Sequence, residues 1–173
     1  RISKAHWIWF QFSKCDTKYL NKIKKIVNKN LKGPKFSSHL TTIGPFLKFN
    51  NSELRKIVDI SKKINPFKVN LIKYELNDQK FTAFFIKINK TKELLNAKKK
   101  FSKTNYVREN KRYNPHISLY YGKKNNDLKE KVIRKLPKLN RLVTIDKICI
   151  VDVNEKINQW KIIKKIKLKN EKN

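Results

Sequence analysis

The order of predicted secondary-structure elements repeats once along the chain, and this repeat restricts the fold more than any other feature. The first half alternates as β-α-β-α-β and the second half as β-α-β-α-β-β. In each half one strand lies between two helices, at residues 36–43 and at residues 115–121. Because no low-complexity linker separates the halves, we expect one α+β domain whose two lobes share a cleft.

Hydrophobic periodicity and turn residues predict the individual elements. Strands are predicted at residues 6–12, 36–43, 67–76, 81–88, 115–121, 142–153 and 159–168. Helices are predicted at residues 17–30, 53–64, 91–102 and 127–135, with Asp16 capping the first and Ser52 the second. Residues 103–114 are polar and basic without periodicity, which predicts an exposed loop.

The two central strands carry the same short motif. His39-Leu40-Thr41 is followed by Gly44, and His116-Ile117-Ser118 is followed by Gly122. Alternate residues of a strand share one face, so each strand presents an imidazole and a hydroxyl on one side, with the apolar residue behind them. The chain has only three His and three Gly. Two such motifs at matching places in the repeat therefore indicate a functional pair rather than two structural histidines.

The remaining histidine and the two cysteines indicate no further site. His6 is followed two positions later by Ile8 instead of a hydroxyl, so we expect it to be structural or at most to line the site. Cys15 and Cys149 form no C-x-x-C pair, and the spacing of a zinc site is absent. We therefore expect reduced thiols, a cytoplasmic protein and no metal.

The charge of the chain has two explanations. The 44 Lys and Arg against 13 Asp and Glu give a net charge of +31, which attracts polyanions such as nucleic acid. However, Lys, Ile and Asn have AT-rich codons and number 38, 20 and 20 of the 173 residues, so codon bias is the second explanation for much of the charge. The 39% hydrophobic content argues against a disordered tail. We expect no secretory signal and no membrane partner, since no apolar run approaches about 20 residues.

These motifs resemble those of the 2H phosphoesterases, a superfamily named for two H-x-T/S motifs. Residues 114–122, NPHISLYYG, are most similar to the cyclic phosphodiesterase branch, where the second motif runs Pro-His-x-Ser-Leu-x-Tyr-Gly. The first strand, with Trp7 and Trp9, is also similar to that branch. The first motif departs from the family at Thr42, where many members carry Leu or Val. The resemblance implies two pseudo-symmetric lobes, each an antiparallel sheet with outer helices, around an active-site cleft. It implies a single domain over residues 1–173, with lobe halves of roughly 1–76 and 77–173.

The resemblance also implies an activity and the residues that perform it. The expected enzyme is a metal-independent phosphodiesterase without a cofactor, which hydrolyses 2′,3′-cyclic nucleotides or ADP-ribose 1″,2″-cyclic phosphate to a phosphomonoester. The resemblance implies that His39 and His116 perform acid–base catalysis and that Thr41 and Ser118 contact the phosphate. An imidazole titrates near neutral pH, so one histidine can be a base while the other is an acid. The family assigns the base to His116 and the acid to His39, and the reverse remains open.

Two aromatic residues and one loop are expected near the substrate. Tyr121 matches the family's tyrosine five residues after the second motif histidine, and Trp9 is placed to stack on a nucleobase, unless it belongs to the core. The basic loop 103–114 carries Arg108, Lys111 and Arg112. It either covers the cleft and meets a second phosphate or is simply solvated.

Two other functions remain open at the level of sequence. The same four motif residues suit a 2H phosphoesterase that acts on RNA ends or on cyclic oligonucleotide signals. The charge also suits a basic RNA-binding module without turnover. In either case we expect a monomer.

Overall fold

Strands and helices alternate along the residues that the computed structural model describes, 4–108 and 112–169. The strands in these ranges are β1 (Lys4–Phe12), β2 (Leu40–Phe46), β3 (Phe67–Leu76), β4 (Phe84–Ile88), β5 (His116–Tyr120), β6 (Arg141–Asn154) and β7 (Lys161–Lys167). The helices are α1 (Lys14–Leu31), α2 (Asn51–Ser61), α3 (Lys92–Phe101) and α4 (Asn126–Ile133). Short 3₁₀ turns cover Lys80–Thr82 and Ile157–Gln159.

All seven strands belong to one antiparallel sheet with the order β1-β2-β5-β4-β3-β6-β7. Because β1 also pairs with β6, the hydrogen-bonded pairs form a closed circuit of six strands, with β7 outside it. The length of β6 makes this possible, since its residues 141–145 pair with β3 and its residues 145–154 pair with β1. This arrangement agrees with the predicted α+β architecture of antiparallel sheets with outer helices.

The circuit consists of two equivalent groups of three strands, β2-β1-β6 and β5-β4-β3. A motif strand stands at the end of each group, and these two strands meet at a single residue pair, Leu40 and Ile117. The predicted boundary near residue 76 follows the sequence repeat. The strand pairing instead places β3 with β4 and β5, and places β6 and β7 with β1 and β2. The narrow seam between β2 and β5 leaves room for a cleft.

The core lies where the apolar faces of the helices cover the sheet. Helix α1 buries Leu20, Ile23, Val27 and Leu31, and helix α3 buries Leu94, Ala97 and Phe101, at the three- and four-residue spacing of an amphipathic helix. Between the motif residues, Leu40 and Ile117 are fully buried in this core. Their burial holds both motif strands rigidly from behind.

The start of each of the first two helices differs from the prediction. Helix α1 is capped by Ser13, whose hydroxyl accepts from the Asp16 backbone N–H at 3.2 Å. Asp16 lies inside the first turn, and its carboxylate binds Arg141 at 2.8 Å and the Thr144 backbone N–H. Helix α2 is capped by Asn50, not Ser52, since the Asn50 side-chain oxygen accepts from the Glu53 N–H.

Two strands also begin three or four residues later than predicted. Residues 36–39 lie outside β2 because side chains, rather than a neighbouring strand, bind their backbone. The Lys24 ammonium donates to the Phe36 carbonyl, and the Gln11 amide donates to the Ser38 carbonyl at 3.4 Å. Strand β4 begins at Phe84 because the preceding residues form the 3₁₀ turn. Within the described parts of the chain, no helix combines the length and apolar character needed to cross a membrane.

Candidate active site

The four motif side chains share one face of the sheet at the seam between β2 and β5. Antiparallel pairing of Leu40 with Ile117 places His39 opposite Ser118 and Thr41 opposite His116. Leu40 and Ile117 point into the core, so the four flanking side chains point the other way. Diagonal neighbours across such a pair lie roughly 7–8 Å apart, which is close enough for both imidazoles to reach one small group between them.

Both imidazoles are oriented by the same local hydrogen bond. His39 Nδ1 lies 2.7 Å from the Ser37 carbonyl oxygen, and His116 Nδ1 lies 2.8 Å from the Asn114 carbonyl oxygen. A carbonyl can only accept, so Nδ1 carries the proton in each ring. Each neutral imidazole therefore keeps Nε2 as its free, basic nitrogen. In both motifs the acceptor is the residue two positions before the histidine.

His39 is the more buried of the two histidines. Its side chain is 3% exposed, and the Trp9 ring is stacked on it with centroids 3.5 Å apart and planes 9° apart. The pKa of His39 is lowered to about 3, chiefly by burial and to a smaller extent by the charges of Lys24 and His116, against the opposing effect of the Ser37 carbonyl. An aromatic face favours a cation by about 0.5–2 kcal/mol. A fall from 6.5 to about 3 corresponds to about 5 kcal/mol, so burial outweighs the ring and His39 is neutral near pH 7.

His116 is half-buried and has a looser aromatic contact. Its ring lies 4.9 Å from that of Phe85 at a tilt of 56°. Burial lowers the pKa of His116 below 6.5, and the hydrogen bond to the Asn114 carbonyl acts in the opposite direction. The two histidines thus differ in how strongly their surroundings oppose protonation.

The two motif hydroxyl residues occupy different positions. Thr41 lines the cleft, and its backbone carbonyl accepts a hydrogen bond from the Tyr113 hydroxyl at 3.4 Å. Ser118 is 4% exposed and lies beneath the cleft wall, where it interacts with Tyr121. Burial raises the pKa of Tyr121 to about 12, with the hydrogen bond from Ser118 opposing that rise, so the phenol stays protonated. The Tyr121 side chain lines the cleft above Ser118.

A cleft of about 560 Å³ opens over this group of residues. Its wall includes His39, Thr41, His116 and Tyr121, together with aromatic side chains from several elements. Those aromatic residues are Trp7, Trp9, Phe81, Tyr106, Tyr113 and Trp160. Gly44 has a φ of +154°, and a Cβ there would lie 2.4 Å from the Trp7 ring. The glycine after the first motif therefore allows Trp7 to form part of the wall.

Trp9 is almost entirely covered by neighbouring side chains of the cleft wall. The side chain is only 3% exposed, with His39 stacked on it and Trp160 5.8 Å away. The contact that the structure shows for Trp9 is thus with a histidine, and its predicted contact with a nucleobase remains a prediction. Trp160 is more accessible and also contacts Tyr121 at 5.6 Å.

Trp160 and Lys98 are among the cleft residues that sequence reasoning missed. Trp160 follows the turn between β6 and β7, and its indole N–H donates to the Asn154 carbonyl at 2.8 Å, which fixes the ring. Lys98 on α3 donates to the Thr42 carbonyl at 3.0 Å. Neither belongs to a motif, and Lys98 is one of 38 lysines, so the sequence contains no signal for either.

The basic loop before the second motif is only partly at the cleft. Arg112 lines it, whereas Arg108 is exposed and bonds the Ser102 carbonyl at 3.4 Å. Lys111 lies outside the described residues. His6 packs against Phe49 with ring centroids 5.0 Å apart and is not among the cleft residues, in agreement with its predicted structural role.

The side chains that most often bind metal ions are scattered over the fold. Across residues 4–108 and 112–169, no three His, Cys, Asp or Glu side chains are grouped as metal ligands. Cys15 is exposed and Cys149 is buried, and both are free thiols.

Several solved structures have the same fold, although no family model and no curated protein matches the chain. LigT of E. coli complexed with 3′-AMP superposes with a TM-score of 0.60 at 10% identity, over 96% of this chain and 99% of LigT. TT0787 of Thermus thermophilus gives 0.59 at 14% identity, over 97% and 100%. A structure described as a phosphoesterase gives 0.59 at 8% identity, over 96% and 99%.

These matches span nearly the whole of each chain, and at such low identity they bear on the fold. They confirm the α+β architecture that the family resemblance implied. The chain has the fold of LigT.

Proposed function

We propose that the chain is a metal-independent cyclic phosphodiesterase. It would hydrolyse 2′,3′-cyclic nucleotides or ADP-ribose 1″,2″-cyclic phosphate to a phosphomonoester. The observation that carries this proposal is the pairing of two imidazoles and two hydroxyl residues on one face of the seam between β2 and β5. The likeness to LigT, whose structures were solved with 3′-AMP, ATP, phosphate and NADP⁺, adds support for a nucleotide substrate.

The reaction needs one base and one acid on opposite sides of the phosphorus. The base nitrogen takes a proton from water as the water oxygen bonds to phosphorus. The bond from phosphorus to one ribose oxygen then breaks, and the acid gives its Nε2 proton to that oxygen. The product is a monoester, and the two histidines have exchanged protonation states. A proton exchange with solvent restores them for the next turnover.

The difference in burial supports a particular assignment of these roles. His39 is neutral near pH 7, which suits a base, whereas His116 is less buried and gains a proton more easily. A bound phosphate favours protonation of the nearer imidazole, since its charge opposes the effect of burial. We therefore assign the base to His39 and the acid to His116. This is the reverse of the roles that the family resemblance implies.

Hydroxyl groups stabilise the charge that gathers on the non-bridging phosphate oxygens in the transition state. Thr41 is placed to donate directly because it lines the cleft. Ser118 is buried and interacts with Tyr121. On this side of the cleft the Tyr121 hydroxyl therefore donates the hydrogen bond to the phosphate. The exposed part of Trp160 is the better platform for a nucleobase than Trp9.

An RNA end is the second candidate substrate for the same four residues. The net charge of +31 and the two cations in the cleft wall, Lys98 and Arg112, favour a longer polyanion. A monomeric, cytoplasmic protein with a single domain over residues 1–173 belongs to either form of the proposal.

Turnover of defined cyclic phosphates tests the proposal. Adenosine 2′,3′-cyclic phosphate, ADP-ribose 1″,2″-cyclic phosphate and an RNA oligomer with a cyclic end are incubated with the protein in EDTA, and products are identified by phosphorus NMR. We expect a monoester from at least one substrate at an undiminished rate in the chelator. Binding of these compounds without any product would contradict the proposal and favour the RNA-binding module.

A further inference from the structure

We propose that the cleft contains a second anion subsite, formed by Lys98 and Arg112, which selects substrates with a phosphate group in addition to the one that reacts. This inference rests on the proposed function and specifies its substrate class. Both side chains line the cleft that holds His39 and His116.

Lys98 is a half-buried cation whose charge no described carboxylate neutralises. Its ammonium donates to the Thr42 carbonyl at 3.0 Å and lies 4.5 Å from the centre of the Tyr113 ring. No carboxylate of the described residues forms an ion pair with it. A carbonyl and an aromatic face orient the ammonium but do not neutralise its charge. Two of its three N–H groups remain for a ligand.

The balance of charge in the cleft wall favours an anion. Lys98 and Arg112 are its Lys and Arg residues, and Glu155 is the one carboxylate among the described wall residues. Burial lowers the pKa of Lys98, which shows that its surroundings oppose an unpaired charge. A phosphate oxygen beside the ammonium would relieve this cost and form a charge-assisted hydrogen bond.

The Lys98 ammonium lies next to the first motif. Lys98 binds the carbonyl of Thr42, the residue after Thr41, and consecutive Cα atoms lie about 3.8 Å apart. Because Thr41 shares one face with the two histidines, the proposed subsite adjoins the proposed position of the reacting phosphate. The cleft of about 560 Å³ lies within the range of roughly 300–1,000 Å³ that is typical of sites for whole small molecules.

Three kinds of substrate offer such a second phosphate. They are a mononucleotide with a 5′-phosphate, the diphosphate of ADP-ribose 1″,2″-cyclic phosphate, and the internucleotide phosphodiester of an RNA end. All present anionic phosphate oxygens to the same two cations. Adenosine 2′,3′-cyclic phosphate with a free 5′-hydroxyl lacks the second phosphate. Comparing the three substrates with it identifies which of them the subsite recognises.

Equilibrium binding of products tests the subsite independently of catalysis. Adenosine 2′-phosphate and adenosine 2′,5′-bisphosphate are titrated against the wild-type protein, Lys98→Met and Arg112→Gln by calorimetry. Lys99→Met is the matched control, because Lys99 is the next residue on α3 and is exposed. We expect the wild type and the control to bind the bisphosphate at least about 10-fold more tightly, and each of the two cleft variants to lose most of that preference.

Turnover rates then rank the three kinds of two-phosphate substrate. The ratio of kcat/KM for each two-phosphate substrate to kcat/KM for adenosine 2′,3′-cyclic phosphate should fall about 10-fold or more in Lys98→Met. The substrate whose ratio falls most is the one that the subsite recognises. If Lys98→Met is unstable, Arg112→Gln replaces it in this comparison, because Arg112 is exposed and its replacement should not affect folding.

The outcomes separate this inference from the proposed function. Equal wild-type affinity for the mono- and bisphosphate would overturn the subsite, and so would an equal loss for both ligands in Lys98→Met, because Lys98 would then act only by positioning Thr41. A bisphosphate preference that depends on Lys98, in a protein that turns over no cyclic phosphate, would support the subsite and overturn the phosphodiesterase.

Discussion

The two motif strands are equivalent in register, yet their histidines lie in different surroundings. Trp9 on β1 pairs with Thr41 on β2, and Phe85 on β4 pairs with Ser118 on β5, so each motif has an aromatic residue opposite its hydroxyl residue. The Trp9 ring lies flat on His39, whereas the Phe85 ring is tilted against His116. Neighbouring strands therefore turn one repeated motif into two distinct sites.

This difference explains how a duplicated motif can supply both a base and an acid. The same backbone bond fixes the tautomer of each imidazole, so the tautomer does not distinguish them. Burial does, because it lowers the pKa of the nearly enclosed His39 to about 3, whereas His116 is only half-buried and its pKa is lowered below 6.5. Pairs of titratable groups whose surroundings separate their pKa values are a common basis for acid–base catalysis.

Replacing either histidine should have the largest effect. His39→Gln and His116→Gln each remove one proton transfer, which typically contributes about 10²–10⁴-fold, so we expect kcat/KM to fall by at least about 10²-fold in each. Initial rates with adenosine 2′,3′-cyclic phosphate measure this, and thermal melts check the fold. His6→Gln is the matched control and should retain wild-type activity, because His6 packs against Phe49 outside the cleft. Activity near wild type in either cleft variant would contradict the paired mechanism.

The pH dependence of kcat/KM should show whether the two histidines set the rate. The acid must be protonated, and the pKa of His116 is below 6.5, so the rate should fall about tenfold per pH unit above that value. The base must be unprotonated, so the acid limb should lie near pH 3. Fixed-time assays over the pH range in which the protein is folded should give a bell-shaped plot of kcat/KM against pH, with its maximum below pH 6.5. A maximum above pH 8 would exclude this assignment.

Changing the two aromatic partners should have the smallest effect and should be unequal. An aromatic stack contributes about 0.5–1.5 kcal/mol, so Trp9→Phe should reduce kcat by a few-fold up to about 10-fold because it loosens the base. Phe85→Leu should cost about 2-fold, since that ring only tilts against His116. Melting temperatures of both variants control for packing. Equal losses would mean that the flat stack on His39 has no catalytic consequence.

The sequence predicted most of the fold because its elements follow local patterns. Strand β3 matches its predicted bounds, and α1 buries Leu20, Ile23 and Val27 at the spacing of an amphipathic helix. Errors arose where tertiary contacts decide. Residues 36–39 have strand-like composition, but Lys24 and Gln11 bind their carbonyls and draw them out of the sheet. Asp16 has the composition of a cap, but its carboxylate binds Arg141 across the fold.

The candidate site was predictable only where it belongs to the repeat. The i, i+2 spacing on two strands placed His39, Thr41 and His116 on one face, as the structure has them. The burial of Ser118 under Tyr121, by contrast, depends on how the residues after β5 pack. Trp160 and Lys98 come from separate elements that reach the cleft only through the closed circuit of strands, and no local pattern reports such a meeting.

Hydrolysis in ¹⁸O-water tests the central claim most directly. Wild-type protein with adenosine 2′,3′-cyclic phosphate in EDTA should yield an adenosine monophosphate that contains one ¹⁸O atom on phosphorus, as read by mass spectrometry. His39→Gln and His116→Gln should yield almost none, and His6→Gln should match the wild type. Unlabelled substrate recovered intact from the wild type, or equal labelling in all four proteins, would contradict the account.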